Sequence, residues 1–68
     1  MKYILKGTVA GSSTPVYFTG RAGAGWISEN IADAFAGWGD LRSGAVRAAE
    51  ARNRTAGVTG VMFKPVSI

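Results

Sequence analysis

The stretch from Asp40 to Arg54, DLRSGAVRAAEARNR, constrains the fold most, because it alone is long enough and rich enough in helix formers to fix an element. Ala45, Ala48, Ala49 and Ala51 have the highest intrinsic helix propensity, with Arg47, Glu50 and Arg52 close behind. Asp40 is placed to cap the first backbone N–H groups, and Ser43 is a rival cap that would shorten the helix by about one turn. Leu41, Ala45, Ala48 and Ala49 fall on one stripe, which is expected to be buried. An alanine stripe lets the helix axis sit close to whatever it covers. Ser43, Arg47, Glu50 and Arg54 form the opposite face, where Glu50 can pair with Arg47 and Arg54. Gly57 reads as the stop signal.

Around this helix the apolar residues change period. Residues 2–10, KYILKGTVA, alternate with a period of two and read as a half-buried strand. Gly11 to Thr14 form a turn, and Val16 and Phe18 alternate with Tyr17 and Thr19 in a second strand reaching Gly20 or Arg21. In the hairpin this makes, Val9 opposite Val16 would bring Phe18 across from Gly7, whose missing side chain the ring could cover. Residues 58–68, VTGVMFKPVSI, give the last strand, and Pro65 marks it as a sheet edge or strand end.

The middle of the chain is open between two readings. Ile27, Ile31, Ala34, Phe35 and Trp38 suit a short helix over about 29–36. The rival is an irregular segment with Trp26–Ile27 on a sheet edge, since Gly37 and Gly39 would fray so short a helix. In both readings Trp26, Phe35 and Trp38 supply the bulk that an alanine-rich helix cannot. The expected architecture is therefore a single α+β domain over 1–68. It has an antiparallel three-stranded sheet with one main helix on one face, ββαβ, with or without a short extra helix.

Composition narrows the chemistry. With neither cysteine nor histidine, the chain lacks disulfides, Cys/His nucleophile pairs and the ligands of most zinc sites. The four acids, Glu29, Asp33, Asp40 and Glu50, have simpler roles as helix-start and surface charges, and no serine has a base to activate it. GRAGAG, residues 20–25, runs in the reverse of the dinucleotide-binding order, with no Lys-Ser/Thr pair after it, and reads as a turn. No enzyme activity, metal or cofactor is expected. No apolar run reaches the length of a membrane span, and the opening MKYILKGTVAG is too short and polar for a signal peptide, so a cytoplasmic location without membrane contact is expected.

One constellation remains. If Tyr3, Leu5, Val9, Val16, Phe18, Val61 and Phe63 face the helix, then Lys2, Lys6, Tyr17, Arg21 and Lys64 share the opposite side. Cations around an aromatic ring suit an acidic protein surface or a single-stranded nucleic acid. Lysine on an open sheet also serves solubility and discourages edge pairing. The net charge of +4 favours an acidic partner in either case.

In Lys2-Tyr3-Ile4-Leu5, Trp26-Ile27-Ser28, Ala34-Phe35, Ala45 with Ala48-Ala49, and Asn53 before Gly60, the chain resembles small proteins of phages and mobile elements. Several anti-CRISPR and other anti-defence proteins are of this kind. The resemblance rests on packing residues and carries over no functional residue. It implies a stoichiometric inhibitor that blocks the surface of a host effector inside the bacterium. DNA-mimicking inhibitors are acidic, so the basic charge argues against mimicry. The alternative is a small basic nucleic-acid-binding accessory protein.

Overall fold

The period-two segments pair into one antiparallel sheet in the computed structural model, which describes residues 1–68. The strands are β1 (Tyr3–Val9), β2 (Pro15–Phe18), β3 (Ile27–Ser28) and β4 (Val61–Ser67). Their order is β3-β2-β1-β4, so the longest strands lie side by side and the shortest forms an edge. Helix α1 (Arg42–Asn53) covers one face, packing on β4 above all, and a single helical turn, α2 (Ala56–Thr59), precedes β4. The α+β expectation holds, with the strand number corrected from three to four. Trp26 and Ile27 explain the difference. Trp26 ends a 3-10 turn over Gly23–Trp26, and Ile27–Ser28 pair with Phe18 and Tyr17 as β3.

The hairpin register is offset by two residues from the expected one. Gly7 lies opposite Val16 and Lys6 opposite Tyr17, whereas Val9 opposite Val16 was expected. Because side chains alternate with a period of two, an offset of two leaves every residue on its expected face. It does change what covers Gly7. A Cβ there would stand 2.8 Å from the Phe63 ring and 3.0 Å from Val16, so Phe63, not Phe18, fills the space.

On the helix side, Leu5, Val16, Phe18, Val61 and Phe63 pack with Ala45 and Ala49 into one buried cluster. Two small helix residues let α1 approach closely, and the aromatic residues supply the volume. Phe18 is the hub. It meets Phe35 and Phe63 edge-on and Trp38 in a stack, each with ring centroids 6.2 Å apart. Trp26 meets Phe63 edge-on at 5.9 Å. Such pairs contribute roughly 0.5–1.5 kcal/mol each beyond their buried area.

The segment 29–41 is irregular, and hydrogen bonds replace helical ones. Ser28 Oγ donates to Asp33 Oδ2 at 2.8 Å, and Asn30 Oδ1 accepts from the Ala32 amide, capping a 3-10 turn over Ile31–Asp33. The Phe35 amide then donates to the Phe18 carbonyl, and the Tyr3 amide donates to the Gly39 carbonyl. These two bonds tie the segment to the end of β2 and the start of β1. A continuous helix over 29–36 does not form.

Both helix-end expectations are revised. Leu41, not Asp40 or Ser43, is the N-cap residue of α1, with no side-chain cap bond, and it is 63% exposed instead of buried. At the other end Gly57 lies inside α2. The reversal into β4 is made by Gly60, whose φ of 73° is the left-handed region that glycine enters without steric cost.

Candidate functional site

The side of the sheet away from the helix carries the candidate residues. In one row across the strands stand Ser28, Tyr17, Lys6 and Lys64, each directly opposite the next. Alternation puts Thr8 and Met62 in the row on one side and Ile4 and Val66 in the row on the other. Lys2 continues the same face, because its backbone exchanges both hydrogen bonds with Ile68. The structure therefore brings Lys6, Tyr17 and Lys64 together and sets Lys2 at the end of the same face. Arg21 lies beyond the end of β2, after Gly20, in the exposed loop leading to the 3-10 turn.

This face is not a uniform open plate. Ile4 is fully buried in it and Val66 half-buried, while Lys2, Lys64, Thr8 and Met62 are exposed. Lys6 and Tyr17 are half-buried. The accessible part is thus weighted toward β4, where Met62 at 53% exposure stands two residues before Lys64. Met62 has a place in this surface that the cation pattern alone did not give it, although its alternation with Val61 and Phe63 already turned it away from the helix.

The charges are segregated. None of the four strands contains an acid, and all four acids fall between residues 29 and 50. Asp33 reaches the row through its bond to Ser28, on the far side of Tyr17 from the lysines. Two strand spacings separate Ser28 from Lys6, about 10 Å. That is one Debye length at about 0.1 M salt, so Asp33 offsets the lysine charges only in part.

The sheet edges are poor sites for strand addition. Lys6–Lys64 and Lys2–Ile68 bond inward, so the odd residues of β4 turn their backbone groups to the free edge. There the Phe63 amide donates to Asn53 Oδ1 at 2.7 Å, and Asn53 Nδ2 donates to the Phe63 carbonyl at 2.9 Å. The Val61 amide donates to Thr59 Oγ1, and Pro65 has no N–H. The opposite edge, β3, is only two residues long. Short, blocked or proline-bearing edges resist pairing with another chain.

Elsewhere the surface offers little. A wide, shallow depression of about 590 Å³ on the outer face of α1 is lined by Arg42, Ser43, Val46, Arg47 and Glu50. No cluster of three or more acids, histidines or cysteines gathers to hold a metal ion. GRAGAG is a tied reversal: Thr19 Oγ1 donates to the Gly25 carbonyl and accepts from the Arg21 amide, and the Thr19 amide donates to the Trp26 carbonyl. No helix is long and apolar enough to cross a membrane. No protein-family model matches the chain, and no curated protein or solved structure is significantly similar to it.

Proposed function

We propose that this chain is a stoichiometric binding protein that lays its basic sheet face, Lys2, Lys6, Tyr17 and Lys64, with Arg21 in the adjoining loop, on an acidic patch of a partner protein. The observation that carries the reading is the segregation of charge: three lysines on one sheet face and no acid in any strand. Such a face attracts and orients an acidic partner and repels basic ones. The resemblance to phage and mobile-element proteins extends the reading to an inhibitor of a host defence effector in the bacterial cytoplasm, acting by obstruction and not by catalysis. The alternative is binding to single-stranded nucleic acid. Tyr17 is the one ring in this row, whereas both tryptophans pack against the core, so a base-stacking platform is thin here.

The test is an affinity capture from bacterial lysate, with and without nuclease, using wild-type bait and a Lys6→Glu/Arg21→Glu bait. A protein captured by the wild type after nuclease and lost with the variant supports the reading. Capture that disappears with nuclease supports the nucleic-acid alternative.

A further inference from the structure

Lys6 and Lys64 face each other directly across β1 and β4, and like charges so placed destabilise a sheet. No strand carries an acid to relieve them. Tyr17 flanks Lys6 on one side, and Asp33 is engaged by Ser28 beyond it. Next to the pair, one row along, Met62 exposes a flexible apolar side chain. An anion entering between the two ammonium groups would meet both at once and remove their repulsion.

We propose that Lys6 and Lys64 form a carboxylate clamp, and that its occupant is a protein segment in which a Glu or Asp side chain stands beside a large apolar one. The carboxylate sits between the ammonium groups, and the apolar neighbour packs on Met62, whose unbranched thioether adapts to varied shapes. The proposal rests on the binding-protein reading and adds the chemistry that the partner must present. Contact is by side chains across the face, because Asn53, Thr59 and Pro65 leave little of the β4 edge for an added strand. A nucleic-acid phosphate would neutralise the lysines, but its flanking sugar offers Met62 less apolar surface than a large hydrophobic side chain.

The experiment titrates the full chain at low salt with three probes: a synthetic peptide alternating Glu and Leu, an all-Glu peptide of equal charge, and oligo-dT. Amide shifts locate the contact, and thermal melts follow each variant. The Glu-Leu peptide is expected to bind more tightly than all-Glu and to shift Lys6, Lys64 and Met62 together. Lys64→Glu should weaken it by about tenfold or more. The same substitution replaces a like-charged pair by an opposite one, so it should raise the melting temperature by a few degrees at low salt. That opposition of stability and binding is the signature of the clamp. Lys64→Gln, which only removes the charge, should show both effects at smaller size.

If neither Lys64 variant raises the melting temperature or weakens binding, the clamp is wrong. If Lys2→Glu and Arg21→Glu then weaken peptide binding, the basic-face reading survives without it. Binding of oligo-dT but of neither peptide overturns both. Failure of all three probes to bind counts against the clamp.

Discussion

The side-chain amide of Asn53 spans the backbone of Phe63, accepting from its N–H at 2.7 Å and donating to its carbonyl at 2.9 Å. The last residue of α1 thus acts as a one-residue strand beside β4 and fixes the helix end to the sheet. Asn53→Ala would strip both partners from partly buried backbone groups, at a cost of about 1–3 kcal/mol. It would also reopen the free edge of β4. The expected outcome is a lower denaturation midpoint together with self-association that grows with concentration, read by sedimentation. A variant as stable and monomeric as the parent would show that the amide is not what closes this edge.

Gly7 marks the tightest point of the helix-side face, with the Phe63 ring and Val16 closing over it. Gly7→Ala improves intrinsic strand preference but forces an added methyl against an aromatic ring in a well-packed core. Overpacking should win, destabilising by roughly 1–3 kcal/mol. Phe63→Leu should partly relieve the strain, so the double variant should be more stable than the sum of the two single effects allows. Strict additivity would mean the two positions do not press on each other.

Which residues face the helix was legible in the sequence, because alternation survives any even offset of register. Gly7 opposite Val16 instead of Val9 opposite Val16 changed partners and kept faces. The same parity set Lys6, Tyr17 and Lys64 on one side. β3 was less legible, because a two-residue strand carries no period and is held by bonds such as Thr19 to Trp26. The Asn53 bridge could not be read at all. Its partner lies ten residues on, and nothing in local propensity distinguishes a bridging asparagine from a solvated one.

The alanine stripe gives a paired test. Ala49 is 3% exposed among large side chains, whereas Leu41, expected on the same stripe, is 63% exposed. Ala49→Leu should push α1 off the sheet and cost about 1–3 kcal/mol. Leu41→Gln should stay within about 0.5 kcal/mol of the parent. Thermal melts reversing that order would place the wrong side of α1 on the core.

Arg52 sits in the last turn of α1, where a cation suits the helix dipole, but its contacts go further than that. Its guanidinium carbon lies 3.9 Å from the centre of the Phe18 ring, and Nη1 reaches the Ala48 carbonyl at 3.5 Å. Phe18 already carries Phe35, Trp38 and Phe63 around it, so the half-buried arginine covers a side of the hub that the other rings leave free. A cation over a partly desolvated ring contributes roughly 0.5–2 kcal/mol. Arg52→Ala should therefore lower stability by about that much, whereas Arg47→Ala, on the exposed face, should change it by less than about 0.5 kcal/mol. Arg52→Met, which keeps apolar cover without charge, should recover part of the loss and divide packing from electrostatics. Because Arg52 is engaged inward, Arg52→Ala should leave capture of an acidic partner unchanged once the chain is folded. Equal melting temperatures for the Arg52→Ala and Arg47→Ala variants would remove Arg52 from the packing around Phe18 and return it to a general role at the helix end.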